Sequence, residues 1–259
     1  MNEKIVFLDI DGTILNEEKK IPASTKKAIK MLQEQEIIVA IATGRSPSMF
    51  TDIVAELKLT SYVSFNGSYV VSDGNVLYKN PLDKTRLLSL EEVSKGKGHP
   101  MVFLNEQVLF SNHSDHPSIH EGMGSLKMTH PEFNETFHHE NEIYQALLFV
   151  EEKDSSWYKM KHNQFDYVRW HDKAIDVLPL GGSKAKGIEE MLIKLNLKAE
   201  NAYAFGDALN DLEMLKMVGC GVAMGNALPQ AKEAADYITE DVGKDGIYKG
   251  LLELGLIKE

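Results

Sequence analysis

Cysteine is nearly absent: the 259-residue chain holds one, Cys220. A single thiol excludes an intrachain disulfide and suits a reducing compartment, so a cytoplasmic protein is expected. The neighbours of Cys220 are small and apolar, the setting of a buried structural thiol rather than of a nucleophile. No apolar run approaches the roughly 20 residues of a membrane helix. No basic, signal-like start precedes the first apolar run, so neither a leader nor a membrane partner is expected. Positive charge is scarce: lysine and arginine total 28 against 39 acidic residues, a net charge of −11. That balance argues against a nucleic-acid partner. It still permits a phosphate ligand, because a local metal ion or lysine can override the global sign. Repeats and low-complexity segments are missing too.

What is present begins with Lys4-Ile5-Val6-Phe7-Leu8-Asp9-Ile10-Asp11-Gly12-Thr13. An unbroken apolar run suits a strand buried on both faces of a parallel sheet. Ligands bind beyond the carboxyl ends of such strands, where Asp9 and Asp11 fall. Two carboxylates this close favour a cation or a proton between them. The plain alternative is a polar turn after a buried strand.

The pattern continues as a helix from Ser24 or Thr25, either able to cap it, to about Gln35, then a strand over Ile37–Ala42 ending at Thr43-Gly44-Arg45. Ser46-Pro47 opens a second helix with Phe50, Ile53, Val54 and Leu57 on one stripe. A third strand over Tyr62–Phe65 stops at Asn66-Gly67, completing a parallel βαβαβ unit. A hairpin follows, Tyr69–Ser72 with Val76–Tyr78. From about Pro81 the rhythm is lost. A helix over Lys84–Ser94, a hairpin of Met101–Leu104 with Gln107–Phe110, and an unpatterned stretch to Glu140 are expected. Strands over Ile143–Glu151, Phe165–Trp170 and Ala174–Leu178 follow, with a helix near Ser155–His162. From Gly181 the parallel rhythm returns: helices over Ser183–Leu195, Asp211–Val218, Leu228–Ala235 and Ile247–Leu254, and strands over Ala202–Phe205 and Gly221–Met224. The expected fold is α/β: a Rossmann-like parallel sheet with helices on both faces, residues 1–80 and 181–259, interrupted by an α+β domain of residues 81–180.

Polar groups cluster where core strands end: Asp9 and Asp11, Thr43, Lys184, and Gly206-Asp207-Ala208-Leu209-Asn210-Asp211. This supply of hard oxygen ligands suits Mg²⁺ rather than zinc. Each residue also has an ordinary structural use. Asp207 or Asp211 is a fitting helix cap, and Thr43-Gly44 a strand-ending turn. Lys184 has the rival Lys186, and a first-turn lysine is unfavourable against the helix dipole, which hints at another purpose. An EF-hand fails because Gly12 comes too early. Gly182-Ser183-Lys184 lacks the rest of a P-loop.

Asp9-Ile10-Asp11-Gly12-Thr13, Thr43, Lys184 and Gly206-Asp207-x-x-Asn210-Asp211 together resemble, in order, the four motifs of the haloacid dehalogenase-like superfamily. The long insert is similar in size and position to the cap of its Cof-type phosphatases. Asn66-Gly67 and Gly221–Ala227 resemble that subgroup too. The resemblance implies a phosphatase acting on a small phosphorylated metabolite, a sugar phosphate or a phosphorylated cofactor, through an aspartyl-phosphate. It makes Asp9 the nucleophile and Asp11 the general acid and base. It places Mg²⁺ on Asp9, the Asp11 main-chain carbonyl, Asp207 and Asp211. Thr43, Gly44, Asn210 and Lys184 would hold the phosphoryl oxygens. Arg45 stays outside this catalytic set. A phosphomutase or phosphotransferase would use the same core, and a binding protein on a decayed scaffold would keep its shape. Monomer and homodimer are both compatible.

All nine histidines lie between His99 and His171. His113, His116 and His120 could share a helix face and bind a metal or substrate; a solvated cap surface is the plainer expectation, and His138-His139 reads as surface.

Overall fold

The computed structural model describes residues 4–258, and these fall into two compact units. One comprises the described residues up to Arg45, Met49–Lys79, and those from Ser183 onward; the other comprises Ser46–Ser48 and Asn80–Gly182. In chain order the first unit opens with β1 (Ile5–Leu8), α1 (Ala23–Glu34), β2 (Ile38–Ala42), α2 (Thr51–Leu57), β3 (Ser61–Ser64), β4 (Tyr69–Ser72) and β5 (Asn75–Lys79). The second unit contributes α3 (Lys84–Gly96), β6 (Met101–Leu104), β7 (Leu109–Ser111), α4 (Pro117–Ser125), α5 (Phe137–Glu140), β8 (Gln145–Leu148), α6 (Glu152–Lys161), β9 (Phe165–His171) and β10 (Ala174–Pro179). The chain then returns to the first unit with α7 (Lys184–Leu195), β11 (Ala202–Gly206), α8 (Leu212–Met217), β12 (Cys220–Ala223), α9 (Pro229–Ala234), β13 (Tyr237–Ile238) and α10 (Gly246–Glu253).

The first unit is built on an eight-stranded sheet in the order β13-β12-β11-β1-β2-β3-β4-β5. Every pairing from β13 to β3 is parallel, and β4 and β5 add an antiparallel edge. The β1 run Ile5, Val6, Phe7 and Leu8 is wholly buried, as an apolar strand with no polar alternation should be in a sheet covered on both sides. Strand order runs outward from β1 in both directions, through β2 and through β11. Right-handed crossovers therefore lay α1 and α2 on one face and α8 and α9 on the other. The reversal leaves a crevice between the carboxyl ends of β1 and β11, the usual ligand position in such sheets.

Several local expectations are corrected. Neither Ser24 nor Thr25 caps α1: the capping position is Pro22, with no side-chain cap bond, and Thr25 is buried. The helix opened by Ser46 is instead a 3-10 turn, Pro47–Met49, before α2 begins. The two-residue strand β13 has too short a sequence signal to be read. Cys220 is half-buried rather than enclosed, and burial pushes its thiol pKa up, which suits an unreactive role.

The second unit carries a five-stranded antiparallel sheet, β7-β6-β8-β10-β9. Helices α4 and α5 occupy the stretch that lacks a readable pattern. Gly122 and Gly124 weaken helical propensity in α4, and α5 is a single turn. His138 is not at the surface. It is 1% exposed, stacks on Phe103 at 3.9 Å, and contacts Glu91 Oε2 through Nε2 at 2.6 Å. Asn112 donates to the other Glu91 oxygen at 2.9 Å. Burial alone would raise the Glu91 pKa, but the bonds from His138 and Asn112 outweigh it and hold the carboxyl below its ordinary value. A carboxyl depressed in the folded state contributes stability that is complete above its unfolded pKa and is lost as pH falls through the folded one. The margin in thermal midpoint of wild type over Glu91→Gln should therefore narrow as pH drops below about 4.3. A margin unchanged down to strong acid would contradict this.

Candidate active site

Asp9 leaves β1 directly, and its N–H donates to Phe205 O of β11 at 3.0 Å, which extends the parallel ladder by one step. The chain then folds back tightly: Ile14 N donates to Asp9 O, Leu15 N to Ile10 O, and Gly12 N to Leu15 O. Gly12 has φ +85°, and a side chain there would run into the Asp207 carboxylate. Only glycine lets the loop after β1 approach the loop after β11 this closely. Thr13 seals the approach, its Oγ1 donating to Asp207 Oδ1 at 2.9 Å.

Lys184 is the first residue of α7, and Ser183 caps that helix by accepting from Lys186 N. Its side chain has no exposed surface. Nζ donates to Asp9 Oδ1 and to Asp211 Oδ1, both at 2.6 Å. Burial would lower the lysine pKa, yet the charges of Asp9 and Asp211 outweigh it and raise the value, so the ammonium is firmly protonated. Lys186 instead faces Glu189 and Glu190 at the surface.

Asp211 is completely buried and does not cap α8. Its Oδ2 accepts from Asp207 N and Ala208 N, both at 2.9 Å, so it holds the loop behind it rather than the helix ahead. Asp207 is likewise no cap; its carboxylate is turned to Thr13. One oxygen each of Asp9, Asp207 and Asp211 lies within 4.8 Å of the others. Burial first, and Asp211 among the neighbouring charges, push the Asp9 pKa up to about 7 against the pull of Lys184, and that of Asp207 to about 6 against the bond from Thr13 and the charge of Lys184. Three carboxylates face one ammonium. Such a set is short of positive charge, and its donors are all hard oxygens, so a cation of the Mg²⁺ kind fits it.

Asp11 lies apart from this cluster. Arg45 grips it with a two-pronged fork, Nη2 to Oδ1 at 2.6 Å and Nε to Oδ2 at 2.9 Å, and Lys19 Nζ reaches Oδ1 at 2.8 Å. Burial alone would raise the Asp11 pKa; Arg45 and Lys19 outweigh it and keep the carboxyl below its usual range. Arg45 lies outside the catalytic set expected from the sequence; its one local signal is position, immediately after a strand-ending Thr-Gly.

Thr43 is buried at the end of β2. Its Oγ1 accepts from Arg45 N at 3.1 Å, and its carbonyl accepts from Asn66 N at 3.1 Å. The Asn66 side chain lies against Gly44, and its Oδ1 accepts from Asn210 Nδ2 at 3.4 Å. Asn66 therefore links Thr43, Gly44 and Asn210 across the ends of β2, β3 and β11. It holds a left-handed backbone at φ +49°, a conformation asparagine tolerates better than most residues. The Asn-Gly pair after the third strand was the signal, but it read as a stop rather than as a site residue.

The arrangement supplies a buried carboxylate beside a cation, further carboxylates at metal-ligand distance, a tethered second acid, and a group of short polar donors. The sequence profile of the haloacid dehalogenase-like hydrolases matches residues 6–251. The chain is 46% identical over 259 residues to YkrA of Bacillus subtilis (strain 168), a protein whose name assigns it provisionally to the phosphatases; the match spans all of both chains. It is 30% identical over 253 residues to YcsE of the same organism, a 5-amino-6-(5-phospho-D-ribitylamino)uracil phosphatase, covering 96% of this chain and 94% of that one. The crystal structure of a hypothetical protein from Geobacillus kaustophilus HTA426 superposes with a TM-score of 0.96 at 49% identity, covering 98% of this chain and all of that one. No helix among the described residues is long and apolar enough to cross a membrane.

Proposed function

Since the chain belongs to the haloacid dehalogenase-like hydrolase family and is a phosphatase, we propose that it hydrolyses the phosphate monoester of a small metabolite through an aspartyl-phosphate on Asp9. The observation that carries the reading is the buried Asp9 carboxylate at the β1–β11 crevice, bonded to Lys184 and grouped with Asp207 and Asp211. A carboxylate oxygen attacks phosphorus while the bond to the leaving oxygen breaks; Asp11, ionised beside Arg45 and Lys19 in the free protein, first takes up a proton from solvent as the anionic substrate binds and then delivers it to that oxygen. Water then attacks the phosphorus of the intermediate, Asp11 takes its proton, and inorganic phosphate leaves as Asp9 is regenerated. Lys184, Thr43, the Gly44 N–H and Asn210 hold the phosphoryl oxygens, with Lys184 adding full positive charge where negative charge builds. Asp9, Asp207 and Asp211, with the Asp11 main-chain carbonyl, would hold Mg²⁺. When bound, the ion neutralises phosphate charge and favours the ionised form of Asp9.

The fork from Arg45 sets the aim of Asp11. Arg45→Ala should lower kcat about tenfold to a hundredfold, because a misaimed proton donor is costly even when it stays nearby. Lysine cannot make the fork, so Arg45→Lys should recover little. Full recovery by lysine would reduce the role of Arg45 to charge alone.

For the substrate we infer a phosphorylated sugar, sugar alcohol or cofactor, selected by residues 81–180 acting as a cap. The name of YcsE supports that class. We place the protein in the cytoplasm, as a monomer or homodimer. The test is phosphate release from a panel of such esters before and after chelation. Chelation should cut the rate at least about 100-fold and Mg²⁺ should restore it, a metal contribution of several kcal/mol. Activity untouched by chelation would remove the metal from the reading. An isomerised hexose phosphate in place of free phosphate would indicate a mutase.

A further inference from the structure

The histidines of the second unit are arranged differently from the helix-face triad the sequence suggests. His113 precedes α4, and His116 caps it, with Nδ1 accepting from Ser118 N at 3.2 Å. Of the three, only His120 lies on the helix. Its neighbours are Asp115, whose Oδ1 is 2.6 Å from His120 Nε2, and His130, from a loop ten positions further along, whose ring centroid lies 4.8 Å from that of His120. One ligand-capable atom from each of Asp115, His120 and His130 falls within 4.8 Å of the others. We propose that these three residues form a site for one divalent transition-metal ion of the zinc class, with water completing the coordination.

The tautomer of His130 carries the argument. Its Nδ1 lies 2.7 Å from the carbonyl oxygen of Pro131. A carbonyl only accepts, so Nδ1 bears the proton and Nε2 of the neutral ring is a bare lone pair. That nitrogen is shielded from solvent and has no hydrogen-bond partner. Protonating it would leave a buried donor unsatisfied instead. A surface histidine satisfied by water does not account for such an atom, and leaving it unmatched carries a desolvation cost. A metal-binding histidine, by contrast, characteristically donates its other N–H to a main-chain carbonyl, which fixes the tautomer and presents the lone pair. His113 makes the same kind of bond, Nδ1 to Asp115 O at 2.9 Å, and so braces the segment that carries the carboxylate.

Two imidazoles and one carboxylate match the borderline preference of zinc, whereas Mg²⁺ takes oxygen donors. The site thus differs in chemistry from the all-carboxylate cluster of Asp9, Asp207 and Asp211. Asp115 offsets the positive end of α4, which would otherwise oppose a cation. His120 Nε2 bears the proton it donates to Asp115 Oδ1, so an ion binding there would displace that proton to solvent; both residues are largely exposed, which gives the ion a direct route in and the proton a way out.

The test uses the full chain after chelator treatment, titrated with Zn²⁺ and, as a spectroscopic probe, with Co²⁺. Asp207→Asn serves as background because it disables the catalytic carboxylate cluster. On that background one equivalent of Zn²⁺ should still bind, and Co²⁺ should show the intense visible bands of a four-coordinate site. Adding His130→Ala or His120→Ala should weaken binding by about 100-fold and erase those bands; Asp115→Asn, at an exposed position, should weaken it about tenfold or more while the circular dichroism stays unchanged. Zinc affinity unaltered by these substitutions, or zinc binding that disappears with Asp207→Asn alone, would overturn the proposal. Both outcomes are independent of whether the chain hydrolyses any particular ester.

Discussion

Asp9→Asn is expected to abolish phosphate release, lowering kcat by about four orders of magnitude or more, because an amide oxygen does not attack phosphorus. The substitution suits the site in every other respect. Asparagine keeps the shape of aspartate and an acceptor for Lys184 Nζ, now 2.6 Å from Asp9 Oδ1. Burial already pushes the Asp9 carboxyl up to about 7, so a neutral side chain relieves a cost rather than adding one. The thermal midpoint of the variant should therefore equal or exceed that of the wild type. Lost turnover with an intact fold isolates the nucleophile. A variant within tenfold of the wild-type rate would remove Asp9 from the chemistry, and with it the aspartyl-phosphate.

Lys184→Ala should damage both the catalyst and the fold. The ammonium has no exposed surface and binds two buried carboxylates, Asp9 and Asp211. Removing one partner of such a group leaves uncompensated buried charge, a loss of about 3–5 kcal/mol, moderated as the carboxylates take up protons. Turnover should fall about 10²–10³-fold through the lost stabilisation of charge on the phosphoryl group. Lys186→Ala, two positions on and paired only with surface glutamates, should stay close to wild type in both respects. Denaturant titration and steady-state rates on the two variants distinguish these roles. If Lys186→Ala proves the worse catalyst, the lysine has been misassigned.

The parts of this molecule that could be read from sequence are those whose environment leaves a local mark. A strand buried on both faces must be apolar at every position, so β1 and its terminal Asp9 stood out at once. Strand-ending Thr43 and the Gly206–Asp211 loop were marked by small and polar residues at abrupt boundaries. What could not be read was decided by partners far along the chain. The sequence favours Lys184 over Lys186 only through its unfavourable place at a helix start and the family pattern; its burial between Asp9 and Asp211 leaves no mark of its own. Nothing near Asp11 announces the fork of Arg45, and nothing near His120 announces His130. His138 looked like a surface residue because its flanks are polar; Glu91 and Phe103, from other elements, make it a core one. The helix α4 was hidden by its own glycines, and Asn66 by serving as both turn and linker.

The position of β1 in the sheet order has a consequence for synthesis on the ribosome. Its partner β2 emerges soon after it, but its other neighbour, β11, belongs to a loop-and-strand region whose contact with the β1 loop joins residues 194 positions apart. The nascent chain must therefore hold a fully apolar strand with one side unzipped while all of residues 80–182 pass through the exit tunnel. Those residues contain every strand of their own sheet, so they can settle first. Until β11 arrives, the open side of β1 is an unpaired apolar strand edge, and chaperone capture is expected to fall in that interval.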